Sequence, residues 1–262
     1  MKFLSFILLS LFSILSTQYC PAQNKTDEKG RKQGYWEKLD PVSKKTIYKG
    51  NFKDDKPQGL FTYYYKDMDS VRTKMEFRQD GKIGYAKLYY ISGKLEAAGK
   101  YVGEQKDSIW NFYDGAGVLI STDHFTNGKK NGPSKVFFPD GKVAEEKNYK
   151  DGKLNGPFKQ YVDGKKVKAE GAYLNDNYDG KCSWYFPSGF AAAQGVYANG
   201  QKKGVWIYKD KEGKVQSKEV WVDGKQLSKK ETEEYFRKNK PASEEPKKEA
   251  DKPGTKKPAG KK

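Results

Sequence analysis

The chain has 262 residues, and its 51 Lys and Arg residues against 34 Asp and Glu residues give a formal net charge of +17 at pH 7. Only 35% of the residues are hydrophobic, which excludes a large α/β enzyme built on long buried runs of Val, Ile and Leu. Aromatic residues nevertheless reach 15%, which excludes a chain that is disordered throughout.

The amino-terminal segment has the pattern of a cleavable secretory signal peptide. Lys2 supplies a positive charge, and an apolar run broken only by serine follows from Phe3 to Leu15. Cys20 and Ala22 place small residues at positions −3 and −1 of a cleavage site. We therefore predict a signal peptide over residues 1–22 and export to the periplasm, the cell envelope or the medium. The alternative is an uncleaved membrane anchor, for which the apolar run is short.

Cys20 also suggests acylation, as in a bacterial lipoprotein, but its surroundings do not fit that class. A resemblance to those lipoproteins would require a small residue directly before the cysteine and usually leucine three residues before it. Tyr19 and Thr17 stand at these positions, which argues against lipidation. Cleavage after Ala22 would leave Cys182 as the sole cysteine, so we expect no internal disulfide in the mature chain.

After a predicted linker over residues 23–33, residues 34–227 contain eight copies of a repeat of about 24 residues. The residue that opens each copy, numbered here as position zero, is glycine in all copies but one: Gly34, Gly59, Gly84, Ser108, Gly132, Gly156, Gly180 and Gly204. A period of this length indicates a tandem array of supersecondary units rather than an irregular globule.

The pattern inside each copy predicts one β-hairpin. Apolar side chains recur at positions two, four, five, eleven and seventeen, and a turn glycine follows near position nine. A second turn, such as Asn127-Gly128 or Asp151-Gly152, ends the copy and is a strong hairpin signal. The sequence therefore predicts an all-β protein, an elongated antiparallel β-meander of about eight tandem hairpins with strands of about five to seven residues.

Side-chain alternation along a strand assigns these positions to two faces of the sheet. Positions two and four should share a face with positions eleven and seventeen, provided that each hairpin keeps an ordinary register. Large aromatic side chains on that face would meet small residues such as Ala97 and Gly99. Position five should point to the other face, where one aromatic residue per copy would form a ladder of candidate binding residues: Tyr64, Tyr89, Tyr113, Phe137, Tyr161 and Tyr185.

Two motifs in the array match a known kind of repeat. The run Asp-Gly-Lys-x-x-x-x-x-x-Tyr-x-x-Gly-x-x-x-Gly stands as Asp140-Gly141-Lys142 to Tyr149, Gly152 and Gly156, and Gly-x-Trp stands as Gly204-Val205-Trp206. They resemble the MORN repeat, and more closely its bacterial variant in proteins labelled YwqK-like antitoxins. The resemblance covers nearly all of residues 34–227. It implies protein scaffolding, dimerisation or membrane attachment, and the label adds an exported antitoxin-like or immunity-like function.

The repeat pattern stops after Leu227. Ser228 and Glu231 match a capping box, so residues 228–240 are predicted to contain a short helix that covers the last strand edge. Residues 241–262 contain many lysines and prolines and no aromatic residue, so we predict a disordered basic tail. The tail suits either a solubilising role or a tether to anionic lipid headgroups, acidic polymer or cell wall.

No constellation in the sequence indicates catalysis. The sequence has one His and two Cys, so few side chains are available as ligands of a transition metal or as members of a catalytic Cys/His pair. His124 has no partner of these types nearby, and Cys182 replaces an aromatic core residue, which indicates a buried thiol. Asn175–Asp179 is the one loop with enough oxygen atoms for calcium, and it lacks the spacing of a calcium loop. We therefore expect no enzyme activity, no cofactor and no metal.

These observations favour an exported, non-catalytic repeat scaffold that binds a protein partner. One alternative is a polysaccharide or cell-wall binding module whose ladder residues stack on sugar rings, and another is the exported antitoxin-like protein. The ladder also suits a half-buried sheet face without any ligand. The lysines lie mostly in turns among acidic residues and no nucleic-acid-binding motif is present, so we expect no nucleic-acid partner.

Overall fold

A computed structural model describes residues 23–239 of the chain, and these residues divide into two compact units. The first unit ends at Lys165 and the second begins at Lys166, within the turn of copy six. The predicted signal peptide, residues 1–22, and the predicted disordered tail, residues 241–262, lie outside the described residues. Within residues 23–239, no helix has the length and apolar character needed to cross a membrane.

The first unit is an antiparallel meander in which each strand up to β11 pairs with the next, and β11 pairs with both β12 and β13. Its strands are β1 (Lys25–Thr26), β2 (Lys32–Leu39), β3 (Thr46–Lys53), β4 (Lys56–Tyr64), β5 (Val71–Arg78), β6 (Ile83–Tyr89), β7 (Leu95–Val102), β8 (Gln105–Tyr113), β9 (Leu119–Thr126), β10 (Lys129–Phe137), β11 (Val143–Lys150), β12 (Lys153–Leu154) and β13 (Gly156–Tyr161). The residues assigned to a linker thus include β1 and the start of β2.

The second unit has the same organisation. Its elements are β14 (Val167–Leu174), β15 (Asn177–Tyr178), β16 (Gly180–Tyr185), β17 (Ala191–Ala198), β18 (Gln201–Lys209), β19 (Val215–Val222), β20 (Lys225–Gln226) and α1 (Lys229–Lys238). Strand β14 pairs with β15 and β16, and from β16 onward each strand pairs with the next. The prediction of an all-β antiparallel meander is therefore confirmed.

The strands are longer than predicted, because the opening residue lies inside a strand. Most strands have eight or nine residues, for example β4 with 9 and β5 with 8. Gly59 in β4 and Ser108 in β8 have φ of 66° and 60°, and the register with the preceding strand shifts beside each of them, as at a β-bulge. The left-handed backbone at a bulge explains why this position is almost always glycine.

The turns that end the copies follow the predicted hairpin chemistry. Asn127 and Gly128 have φ of 49° and 77°, the pair of positive values that a type I′ turn requires. Asn175 and Asp176, which depart from the glycine pattern in copy six, adopt the same conformation with φ of 49° and 71°. Asparagine and aspartate tolerate this backbone region, so copy six keeps the turn without glycine.

The predicted packing of large against small residues forms the core. Trp110 is fully buried, and its indole lies on Gly99, where a Cβ atom would come within 2.3 Å of the ring. The same arrangement places Trp206 on Gly195, also at 2.3 Å. In copy three the sizes are exchanged, since Ala86 stands at position two and lies directly opposite Met75. We call the side of the sheet that holds these residues the core face.

In most copies the first strand also shifts register against the strand that follows it, between positions four and five. This shift pairs Tyr89 with Leu95 and Tyr113 with Leu119. Position eleven therefore lies opposite position five, and the expectation that it shares a face with positions two and four is wrong. The expectation assumed an ordinary hairpin register, and an extra residue before position thirteen breaks that register.

The helix that follows the array begins where the sequence indicates. Ser228 is the N-cap of α1 and forms a capping box with Glu231. Beside β20, the backbone N–H of Leu227 donates to the carbonyl oxygen of Val220 at 2.8 Å. This hydrogen bond ties the start of the helix to β19.

Candidate functional site

The ladder residues of both units are half-buried, and they lie on the side of the sheet opposite the core face. Within β4, Tyr63 stacks on Phe61 with 6.1 Å between ring centroids, whereas the next residue, Tyr64, contacts Lys49, whose Nζ lies 5.5 Å from its ring. Successive side chains of a strand point to opposite faces, so the position-five side chain lies on the other face from the position-four side chain. We call this second side the ladder face.

Contacts within the sheet occupy several ladder residues. Lys74 Nζ lies 6.0 Å from the Tyr89 ring, in the geometry of a cation–π contact. In the first unit Tyr161 Oη donates to Glu146 at 3.0 Å, and in the second unit Tyr185 Oη donates to Glu170 at 2.7 Å. Burial, and then the bond to Glu170, raise the pKa of Tyr185. These contacts are what a half-buried sheet face provides without a ligand.

Tyrosines at position six tie successive copies together. Tyr65 Oη donates to the carbonyl oxygen of Tyr89 at 2.7 Å, and Tyr90 Oη donates to that of Tyr113 at 2.8 Å. Each bond joins a residue to the ladder position of the next copy. The sequence analysis missed this role, for which the adjacent tyrosines at positions five and six were the only signal.

The ladder face of the first unit also forms a groove with a volume of about 870 Å³. Three position-one side chains line it, Leu60, Tyr85 and Ile109, and they are 57%, 44% and 50% exposed. Ala98 and Gly99 line it as well, and their small size leaves it open. The sequence analysis missed this column, although position one has the same parity as position five and alternation would place both on one face.

The charged side chains of the groove are mainly basic. Lys74, Lys87 and Lys100 line it, together with the single carboxylate of Glu76. Lys100 Nζ lies 2.7 Å from Asp107, and its hydrogen bond is the main cause that lowers the pKa of that carboxyl. Because Asp107 neutralises Lys100, the excess positive charge of the groove comes from Lys74 and Lys87, and it favours an occupant with acidic groups.

In the second unit a helix covers part of the ladder face. Lys218 Nζ on β19 lies 5.5 Å from the ring of Phe236 in α1. Val220, which lies opposite the position-one residue Val205, is fully buried, whereas Val196 at the same position of the preceding copy is 42% exposed. Helix α1 contacts β19, the strand that holds Val220, and Val220 also faces Val205 and Leu227, whereas Val196 faces Lys181 and Lys203.

The core face presents a recurring arrangement of its own. A lysine two residues before the opening residue places its ammonium over three rings in copies one, four and eight. Nζ lies 4.7–5.8 Å from Trp36, Tyr48 and Phe52 for Lys32, 4.4–5.3 Å from Trp110, Phe112 and Phe125 for Lys106, and 4.8–5.3 Å from Trp206, Tyr208 and Trp221 for Lys202. These contacts partly desolvate the ammonium groups and cover the rings.

Glu219 completes the arrangement around Lys202. Its carboxylate accepts hydrogen bonds from Trp221 Nε1 at 2.9 Å, Tyr208 Oη at 2.9 Å and Lys202 Nζ at 3.3 Å. Burial is the largest single influence and raises the pKa of Glu219, but the three hydrogen bonds together outweigh it, so the pKa is lowered.

The lowered pKa of Glu219 predicts a loss of stability in acid. Its contribution is fully present above the ordinary glutamate pKa of about 4.3 and is lost as the pH falls through the lower folded value. We expect Glu219→Gln to remove this part of the pH dependence. Urea unfolding of both proteins at several pH values between 6 and about 3 measures it, and parallel curves for the two proteins would contradict the assignment.

The other candidate residues have structural surroundings. His124 Nδ1 donates to the carbonyl oxygen of Pro133 at 2.8 Å. Cys182 is buried, and burial raises the pKa of its thiol. Asn175 and Asp176 are the central residues of a two-residue turn. Within the described part of the chain, no three His, Cys, Asp or Glu side chains lie together as a metal site would require.

Comparisons with known proteins identify no family. No protein-family model matches the chain, and no curated protein matches it. Among solved structures, TarM matches with 6% identity over 35% of this chain and 18% of its own, at a TM-score of 0.28. A variant of S. aureus TarM in complex with fondaparinux, alpha-GlcNAc-glycerol and UDP matches with 8% identity over 37% of this chain and 19% of its own, at a TM-score of 0.29. The match spans less than a fifth of either structure and carries no functional argument.

Proposed function

We propose that the chain is a non-catalytic repeat scaffold that binds a partner polypeptide in the groove of the first unit. The observation that carries the proposal is the exposed column of Leu60, Tyr85 and Ile109 inside a groove of about 870 Å³. The three side chains stand on alternate strands, with Glu76 and Lys100 between them, and exposed apolar side chains gathered in one groove with charged ones are typical of an interaction site. Aromatic and aliphatic side chains in a groove provide the anchoring contacts of such a site.

The second unit supports a polypeptide as the occupant. There α1 contacts β19 on the ladder face through Phe236 and Lys218, and Val220 on the same strand is fully buried. The groove of the first unit presents the same side of the same repeat, with its apolar residues still exposed. Lys74 and Lys87 around it favour a partner segment that combines apolar side chains with acidic ones. The signal-peptide pattern favours a partner in the envelope or outside the cell.

The double variant L60D/I109D tests the proposal. Both side chains are at least half exposed, so we expect little change in folding. Loss of two apolar anchors and the added negative charge should weaken partner binding about a hundredfold or more. The measurement is cross-linking in cells, with capture of the tagged protein from envelope and medium fractions and mass spectrometry. Val42→Asp, at an 88% exposed position outside the groove, is the control.

The proposal requires one protein that both the unchanged chain and the Val42→Asp chain capture and that L60D/I109D does not. Equal capture by all three would move the interaction away from the groove. Recovery of the chain with insoluble wall material alone would favour the polysaccharide-binding alternative, and capture of a toxin would favour the antitoxin-like one.

A further inference from the structure

A row of five side chains crosses the ladder face of the first unit from β4 to β8. Glu76 lies opposite Leu60 on one side and opposite Tyr85 on the other. Tyr85 also lies opposite Lys100, and Ile109 on β8 completes the row and lines the same groove. The row therefore alternates apolar and charged side chains, with an apolar one on every second strand.

The spacing of the three apolar side chains restricts the conformation of a chain that contacts all of them. Neighbouring strands lie about 4.8 Å apart, so anchors on every second strand lie about 9.6 Å apart. A polyproline II helix has three residues per turn, and every third residue returns to the same side after about 9.3 Å.

Other regular conformations match this spacing less well. A fully extended chain repeats its side-chain direction after about 6.8 Å. An α-helix returns a residue to nearly the same side after seven residues, or about 10.5 Å. Over the two intervals of the row, the polyproline II repeat differs from the strand spacing by about 0.6 Å and the seven-residue helical repeat by about 1.8 Å.

The charged residues of the row form ion pairs within the sheet. Arg78 lies 3.1 Å from the carboxylate of Glu76. Lys100 lies 2.7 Å from the carboxylate of Asp107. The positions between the apolar anchors therefore contribute little net charge.

The excess charge lies beside the row. Lys74 and Lys87 stand directly opposite each other on β5 and β6, and both are exposed. Like charges at directly opposite positions of a sheet repel each other. A carboxylate placed between the two ammonium groups would relieve this repulsion, so the lysines favour an acidic side chain next to an apolar anchor.

We propose that the groove binds a partner segment in the polyproline II conformation, with an apolar side chain at every third residue and acidic side chains between them. Leu60, Tyr85 and Ile109 contact the apolar side chains, and Lys74 and Lys87 contact the acidic ones. Proline-rich segments hold this conformation before binding and lose little entropy when bound, and grooves with aromatic side chains are typical of their receptors. The inference rests on the proposed function and names the segment that occupies its groove.

Binding of fluorescein-labelled peptides to the full chain, measured by fluorescence anisotropy, tests the spacing. The first peptide is acetyl-(Leu-Pro-Glu)3-amide, with leucine at every third residue. The second, acetyl-Leu-Glu-Leu-Glu-Leu-Glu-Pro-Pro-Pro-amide, has the same composition with leucine at every second residue. The third is a helical peptide of alanine, three glutamates and three leucines, with a leucine at every seventh residue. We expect the first to bind at least about tenfold more tightly than either of the others, because it alone matches the anchor spacing.

A variant without the outer anchors tests the place of binding. In L60D/I109D we expect the first peptide to bind no more tightly than the second, because two of its three leucines lose their contacts. Val42→Asp, at an exposed position outside the groove, should not change the affinity of any peptide. Circular dichroism and urea unfolding verify that each variant is folded, and the comparison of peptides on the unchanged chain needs no variant.

A second pair of variants tests the charge. We expect K74Q/K87Q to weaken binding of the first peptide about tenfold, the size of a lost contact to a charged group. The control K129Q/K153Q removes two exposed lysines of the first unit that do not line the groove, and it should leave the affinity unchanged.

Three results would overturn the inference: equal binding of the first and second peptides, tightest binding of the helical peptide, or binding of the first peptide that L60D/I109D leaves unchanged. The proposed function has a separate outcome. If L60D/I109D loses its protein partner in cells while the peptides show no preference for the three-residue spacing, the groove binds a polypeptide of another conformation and only the inference fails. If capture in cells is also unchanged, both fail.

Discussion

Replacing Trp110 by alanine is expected to lower the free energy of unfolding by about 4 kcal/mol, the largest effect of any single change that we predict. The side chain is fully buried, and Nε1 donates to the carbonyl oxygen of Lys100 at 3.0 Å. Its ring makes an edge contact with Tyr101 at 4.9 Å and stacks on Phe112 at 6.2 Å. Alanine would leave a cavity in the sheet and expose these rings.

Urea unfolding followed by circular dichroism measures the loss for Trp110→Ala, with Trp36→Ala as its control. Trp36 occupies the same position in copy one but is only half-buried, and we expect about half the loss there. Equal losses for the two variants would show that burial at Trp110 does not set its contribution.

Gly99→Ala should also destabilise the protein, by about 3 kcal/mol. Gly99 does not have a positive φ, so the reason is contact rather than backbone strain. The new Cβ would lie 2.3 Å from a Trp110 ring atom, and that ring is fully buried and has little room to move. Gly115→Ala is the matched control, because Gly115 also lacks a positive φ and a Cβ there would meet no atom within 4 Å.

Thermal and urea unfolding of Gly99→Ala, Gly115→Ala and the double variant G99A/W110A test the cause of this loss. We expect the Gly115 variant to be as stable as the unchanged chain or slightly more stable. In the double variant the clash disappears, so its loss should be smaller than the sum of the single losses by at least about 2 kcal/mol. Additive losses would mean that the glycine is needed for another reason.

The candidate site could be predicted only in part. Alternation along the strands correctly separates Tyr64 from Tyr63, because the direction of a side chain follows from its position in an extended chain. The same rule, applied to position one, would have placed Leu60 and Ile109 beside the ladder. It could not have shown that these two stay exposed while Val220, on the strand that α1 contacts, is fully buried. Exposure depends on what packs against a residue, and that contact is not local in sequence.

The lysines two residues before the opening residue show the same limit of prediction from sequence. Lys82 and Lys106 stand at equivalent positions of their copies, yet Lys106 lies over three rings and Lys82 lies exposed in a turn. The difference arises from a register shift that copy four has and copy three lacks. A bulge is a property of two paired strands, so one strand's sequence does not reveal it.

The sequence by itself determined the repeat period, the all-β meander, the turns with positive φ and the capping box at Ser228, because each depends on residues close in the chain. The tertiary structure decided the register of neighbouring strands, and with it the pairing of position eleven with position five. It also decided the exchange of large and small residues at Met75 and Ala86 and which side chains of the sheet remain exposed. Those features depend on packing between copies about 24 residues apart, where small differences in side-chain volume select one register over another.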